Sequence, residues 1–246
     1  MRSPRSLATR TSLRTPDLTT AFAAVLHTGR MPGWPAADWL TQQERRRAES
    51  FADVGDRRDY LAAHRLVRLL AARLAGKHPA DLVVIQRCPR CGGPHGRPMI
   101  AGHPGLHVSL AHTRGAVIAA AGMSPVGADI ETLCRPRFDL ALTDTLLSRP
   151  EQRSVRQAAD PHRAFLHQWT RKEAVVKAGL GRLRQLAEVD LGHLPVSGLP
   201  DESPAGRPLG PAWPGLHLLD QIDGQNEVAL AVVSSQPVRL IAAMAE

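Results

Sequence analysis

Two stretches of this chain share a plan, and that echo restricts the folds open to it. Gly105-Leu106-His107-Val108 precedes the alanine- and valine-rich segment Ala116-Val117-Ile118-Ala119-Ala120, and Gly215-Leu216-His217-Leu218 precedes Val228-Ala229-Leu230-Ala231-Val232-Val233. Each reads as two strands in hairpin-like succession, and each follows helical pattern and a loop. The expected class is therefore α+β: two similar subdomains with antiparallel sheets and long helices, related by a pseudo-twofold. The strand beginning at Val126 places their boundary near residue 125. A doubly wound parallel sheet needs regular strand-helix alternation and a phosphate-binding glycine loop, and the sequence has neither.

The helices carry their own start signals. Thr41-Gln42-Gln43-Glu44 and Ser148-Arg149-Pro150-Glu151 are capping boxes, the second with proline in the first turn, where its missing amide costs nothing. Glu151 thus already has a structural role. From Thr41 the helical pattern runs with an interruption near Gly55 to an end at Gly76, and another helix starts at Asp160-Pro161 and stops around Gly179. Residues 194–214 are rich in proline and glycine and read as a loop. Residues 1–30 carry Arg2, Arg5, Arg10 and Arg14 before the first acid and are expected to be a flexible basic start, followed by units at 31–125 and 126–246.

The formal charge of +8, from 31 basic and 23 acidic residues, favours polyanionic partners. No zinc finger, homeodomain or glycine-arginine tract selects nucleic acid among them. Nor does any stretch approach 18 consecutive apolar residues. Three cysteines without a signal peptide suggest reduced thiols and a cytoplasmic location.

Two acidic clusters about forty residues apart carry the chemistry. On a strand, Asp129 and Glu131 face one way while Ile130 faces the core. On a helix, Glu173 and Lys177 are neighbours four residues apart. Three convergent carboxylates suit a hard cation such as Mg²⁺, which commonly shares its shell with phosphate, and Lys177 offers a mobile point charge. The competing reading is a solvated strand edge beside an exposed ion pair. Arg97 after Gly96 and His112 at a strand end are candidate phosphate donors, each also compatible with an ordinary turn or hairpin residue.

Cys88-Pro89-Arg90-Cys91 with His95 has the look of part of a zinc ligand set, with His103 and His107 competing for further places. A CxxC redox pair and a turn with two ordinary thiols are the other readings.

Val126-Gly127-Ala128-Asp129-Ile130-Glu131 together with Phe165-Leu166-His167-Gln168-Trp169-Thr170-Arg171-Lys172-Glu173-Ala174-Val175-Val176-Lys177 resembles the 4'-phosphopantetheinyl transferases, specifically the longer pseudo-dimeric type that serves polyketide and nonribosomal peptide synthesis. Gly96-Arg97-Pro98, the strand end around His112 and the arginine-bearing helical region from Thr41 to Leu74 add to it. The resemblance implies transfer of the 4'-phosphopantetheine arm of coenzyme A to a serine of an acyl or peptidyl carrier protein. Asp129, Glu131 and Glu173 would hold Mg²⁺, Lys177 would contact phosphate, and Glu173 would take the serine proton. Arg97 and His112, with Arg65 or Arg68, would grip coenzyme A in the first unit. A monomer meeting an acidic carrier protein through Arg45-Arg46-Arg47, Arg57 and Arg58 completes the expectation. Ala111 stands where such enzymes usually have serine, leaving Ser109 or Thr113 to supply a hydroxyl, and Arg97 stands where they have lysine. A carrier-binding factor without activity and a nucleic-acid-binding protein are the alternatives.

Overall fold

The computed structural model describes residues 17–31, 38–134, 141–194, 206–209 and 213–242. The chain opens with β1 (Ala21–Leu26), followed by α1 (Gln42–Glu49) and the long α2 (Val54–Ala75). Short strands β2 (Val84–Gln86) and β3 (Pro98–Ile100) precede the hairpin β4 (His107–Thr113) and β5 (Ala116–Gly122). The second half runs β6 (Val126–Thr132), α3 (Ala141–Leu146), α4 (Arg149–Gln157), α5 (Pro161–Lys177), β7 (Arg207–Pro208), β8 (His217–Asp223), β9 (Val228–Ser234) and β10 (Val238–Leu240).

The expected doubling is present. One sheet has the order β10-β1-β5-β4-β3-β2 and the other β6-β9-β8-β7. Within them β1-β5-β4-β3 and β6-β9-β8-β7 run in the same sense, so each unit is a strand, a capped helix, a long helix and a returning hairpin. The echoing segments are β4–β5 and β8–β9, paired antiparallel along their lengths.

Strand alternation sorts the core into layers. Val117, Ala119 and Ala121 of β5 pack with Leu66, Val67 and Leu70 of α2. Ala116, Ile118 and Ala120 turn the other way, onto Val126, Ala128 and Ile130 of β6. Ala231 and Val233 of β9 then meet Ala174 and Val175 of α5. The result is helix, sheet, sheet, helix, with Asp129 and Glu131 on the face of β6 turned toward α5.

Helix boundaries follow the caps. Both capping boxes form, at Thr41 and at Ser148, and Asp53 and Asp160 accept amides at the starts of α2 and α5. Gly76 ends α2 with φ 60°, the left-handed conformation that glycine adopts at least cost.

The first thirty residues depart from the expectation of a flexible start. Residues 1–16 lie outside the described residues, but Ala21–Leu26 is a buried strand between β5 and β10. A strand of six apolar residues gains ladder bonds on both edges there. Moreover β10, from the end of the chain, pairs parallel with β1, so a cut at residue 125 does not separate the sheets. Most of the segment read as the 194–214 loop also falls outside the described residues.

β6 is an edge strand whose outer side is covered by β4 through side chains. The Ala128 amide donates to Ser109 Oγ at 3.0 Å and the Thr132 amide to Thr113 Oγ1 at 3.1 Å. On its other face, a Cβ built on Gly127 would lie 2.0 Å from the Ala174 carbonyl oxygen and 2.3 Å from the Ala178 nitrogen. The backbone of α5 therefore rests directly on the strand. Gly127→Ala is expected to lower the unfolding free energy by about 3 kcal/mol, the upper end for overpacking, because backbone cannot yield like a flexible side chain. Gly29→Ala, whose Cβ meets nothing within 4 Å, is the control. A urea titration in which the two variants match would show that α5 does not seat on Gly127.

Candidate functional site

Seating α5 on Gly127 brings the two acidic clusters together. Gly127, Asp129 and Glu131 share one face of β6, and helical spacing carries Trp169, Glu173 and Lys177 along the opposing surface of α5. Lys177 Nζ lies 2.5 Å from Asp129 Oδ1. Trp169 Nε1 donates to Glu131 Oε1 at 3.2 Å, and its ring stacks on Phe165. Asp129, Glu131, Glu173 and Lys177 line a cleft of about 360 Å³, joined by Ala111 and His112 from the end of β4.

Packing sets the electrostatics of this cleft. Burial pushes the Asp129 carboxyl up to about 7, and Glu131 and Glu173 add to the rise, while the ion pair with Lys177 opposes it only in part. Burial likewise raises Glu173, against Lys177 and with Glu131. His112 is lowered by burial, which favours the neutral ring. Asp129 Oδ2 is buried with no hydrogen-bond partner among the described residues. A buried, unsatisfied carboxylate oxygen is costly, and a cation is the partner that would satisfy it.

The arginines divide. Arg97 Nη2 donates to the Ala178 carbonyl at 3.1 Å, which sets its charge at the C-terminus of α5 one residue beyond Lys177. Gly179, with φ +81°, leaves the room: a Cβ there would sit 2.7 Å from Arg97 Nη1. Arg65 lies over the Trp39 ring at 3.8 Å and bonds Asp38 at 3.0 Å.

Arg68 departs from the expected phosphate contact. It is fully buried, with Nη2 2.6 Å from Glu44 Oε2 and further bonds to the carbonyls of His64 and Leu82. These partners, rather than the cleft, take up its guanidinium. The two candidate hydroxyls near Ala111 are engaged as well, since Ser109 and Thr113 accept amides from β6.

The position of Arg68 has a counterpart in the second unit. Lys172 is fully buried, 2.8 Å from Glu151 Oε2, and donates to the carbonyls of Leu186 and Val189. Arg68 and Leu82 are fourteen apart, as are Lys172 and Leu186. In each unit the capping-box glutamate thus also serves as the buried counter-ion of the long helix. Burial works to raise Glu44, yet His64 and Arg68 outweigh it and hold the carboxyl at about 2. A third buried ion pair, Arg171 Nη2 to Asp220 at 2.5 Å, ties α5 to β8. The capping boxes marked Glu44 and Glu151 as first-turn residues in the sequence, whereas nothing local marked Arg68, Lys172 or Asp220 as members of buried ion pairs.

Cys88, Cys91 and His95 also come together, in the connection between β2 and β3. Their donor atoms all lie within 4.8 Å of one another, and they are the only such group of three among the described residues. His103 and His107 do not join them. Cys134 lies apart, donating to Glu227 Oε2 at 2.8 Å. The three acids of the cleft face a common space without meeting as closely as the sulfur-imidazole group.

Residues 125–233 match the family model of the 4'-phosphopantetheinyl transferase superfamily. The chain is 27% identical over 172 residues to a 4'-phosphopantetheinyl transferase of Bacillus subtilis, covering 66% of this chain and 72% of the relative. It is 30% identical to the 4'-phosphopantetheinyl transferase psf-1 of Bacillus pumilus over 56% of this chain and 57% of that one. With the 4'-phosphopantetheinyl transferase HetI of Nostoc sp. it shares 26% identity over 80% and 81%. These similarities do not assign a subtype. No helix among the described residues is long and apolar enough to cross a membrane.

The raised Asp129 carboxyl has a thermodynamic sign. Between the ordinary aspartate value and about 7, the unfolded chain ionises at this position while the folded one keeps its proton. Without divalent cations, Asp129 therefore makes stability fall as pH rises through that window, and contributes no slope above or below it. Asp129→Asn is expected to melt progressively higher than the wild type as pH increases from 4 to 7. Parallel melting curves across this range would contradict the burial of an ionisable group here.

Proposed function

We propose that this protein transfers the 4'-phosphopantetheine arm of coenzyme A to a serine hydroxyl of an apo carrier protein, with Mg²⁺, releasing adenosine 3',5'-bisphosphate. The observation that carries the proposal is the convergence of Asp129 and Glu131 from β6 with Glu173 and Lys177 from α5 on one cleft. These residues fall within the segment that matches the superfamily model.

The donor set fits the cation. Asp129, Glu131 and Glu173 offer only oxygen, as Mg²⁺ prefers, and the buried Asp129 Oδ2 is in want of a partner. When bound, the cation would neutralise charge on the pyrophosphate. The chain's own groups do the rest. Lys177, now resting on Asp129, has a charge to lend to a phosphate oxygen, and its partly exposed stem leaves it free to swing. Glu173, raised by burial, is the better base for the serine proton. A neutral His112 donates a hydrogen bond without adding charge, and Arg97 brings a cation to the end of α5. Arg65 is the remaining arginine proposed for coenzyme A. The bond broken is a phosphoanhydride, so positioning and charge neutralisation account for most of the rate.

For domains, we assign coenzyme A chiefly to residues 31–125, and the metal and base to 126–246. The carrier is an acidic protein, met by the exposed Arg45, Arg46 and Arg47 of α1, with Arg57 on α2 nearby in sequence. Attraction of this kind sums over many charges and weakens with salt. The doubled architecture supports the longer type that serves polyketide and nonribosomal peptide carriers, acting in the cytoplasm as a monomer.

Incubating apo carrier protein with coenzyme A and Mg²⁺, followed by intact-mass measurement, tests the proposal. The expected result is a gain equal to one phosphopantetheine group. Asp129→Ala and Glu173→Ala should each lower the rate by about a hundredfold, or ~3 kcal/mol, and Lys177→Ala should stay impaired at saturating Mg²⁺. Carrier binding without any mass gain would identify a non-catalytic carrier-binding factor. Tight, salt-sensitive association with DNA or RNA and none with coenzyme A would identify a nucleic-acid-binding protein.

A further inference from the structure

We propose that Cys88, Cys91 and His95 hold a Zn²⁺ ion that fixes the connection between β2 and β3. The site stands apart from the acidic cleft, and the proposal does not depend on the transferase reading. Its donors are two sulfurs and an imidazole, a set that selects zinc over the hard cations that carboxylates prefer.

The backbone of the connection is already wound for this purpose. The Cys88 amide donates to the Gly93 carbonyl at 2.9 Å, and the Gly92 amide returns to the Cys88 carbonyl at 2.8 Å. The His95 amide reaches the same Gly93 carbonyl at 2.9 Å. This closed turn brings Cys91 Sγ to 3.0 Å from His95 Nε2, and the Gly93 amide points at that sulfur from 3.4 Å. Amides aimed at sulfur stabilise the thiolate, which is the form that ligates metal.

Two glycines make the winding possible. Gly92 has φ +70°, which side chains strain to adopt. A Cβ on Gly93 would lie 3.2 Å from the His95 ring and 3.3 Å from Cys91 Sγ, filling the space in which the donors meet. Tetrahedral zinc places sulfur at about 2.3 Å and nitrogen at about 2.0–2.1 Å, so neighbouring donors stand about 3.4–3.8 Å apart. The widest pair here, within 4.8 Å, needs to close by about 1 Å. Side-chain rotation can supply that, since Cys91 and His95 are exposed. Three protein donors leave a fourth position for solvent.

The consequence of such a staple is local order. Residues 87–97 have few apolar anchors: Gln86 Nε2 bonds the Gly96 carbonyl at 3.1 Å, and Arg97 reaches Ala178 across the molecule. A metal joining Cys88 to His95 cross-links the middle of this segment and holds its end, from which Arg97 projects. The charged Arg97 is thereby delivered to α5 by a braced turn.

The test is metal analysis of the full chain, purified without chelator and then exchanged against excess Zn²⁺ and desalted. About one zinc per chain is expected in the wild type and in Asp129→Ala, with none above background in Cys91→Ser. Replacing zinc by Co²⁺ should give a sulfur-to-metal charge-transfer band that Cys91→Ser lacks. Chelation should speed amide hydrogen exchange across residues 87–97 while leaving α2 unchanged. Zinc retained by Cys91→Ser but lost from Asp129→Ala would move the metal to the acidic cleft and overturn the proposal. So would a wild type that binds no zinc, or one in which Cys88 and Cys91 form a disulfide under the purification conditions.

Discussion

The contact on which the rest depends is the one between the backbone of α5 and the strand β6 at Gly127. No side chain separates the two elements there: a single Cβ would sit 2.0 Å from the Ala174 carbonyl oxygen. That closeness sets the depth at which Asp129 and Glu131, on the same face two and four residues further on, meet Trp169, Glu173 and Lys177. With α5 farther out, Lys177 would not reach Asp129 and the carboxyl would be solvated rather than raised to about 7. The cleft is thus a product of a missing side chain as much as of the polar residues around it.

Around that contact, the molecule uses one device twice. Glu44 and Glu151 close capping boxes at the starts of short helices, and each extends its carboxylate to the buried cation of the next long helix. A buried cation without a partner costs several kcal/mol, so the short helix is obliged to dock where its first turn meets that charge. The device fixes the angle of α2 over one sheet and of α5 over the other. It also explains why Arg68, attractive as a phosphate ligand by composition, is part of the frame.

How much was legible follows from the range of each interaction. Caps, the Gly76 stop and the two hairpins are local: a few neighbouring residues decide them, and they stand where periodicity and capping place them. The shared facing of Asp129 and Glu131 follows from strand alternation alone. β1 was hidden because six apolar residues inside a basic, serine- and threonine-rich start give little pattern. The order of elements in the second unit was the available clue, since its strand β6 also precedes the helices.

The sequence by itself determined the doubled plan, the helix limits, and the pairing of an acidic strand with a helix bearing Glu173 and Lys177. Only the tertiary structure decided which charges face the cleft and which are buried counter-ions. Arg68 and Arg97 are both single arginines in favourable surroundings, yet Glu44 takes one inward while the C-terminus of α5 receives the other. It also decided that Cys88, Cys91 and His95 meet while His103 and His107 stay away. The physical reason is that capping and alternation act over a few residues, whereas burial and charge pairing join positions brought together only when the layers pack.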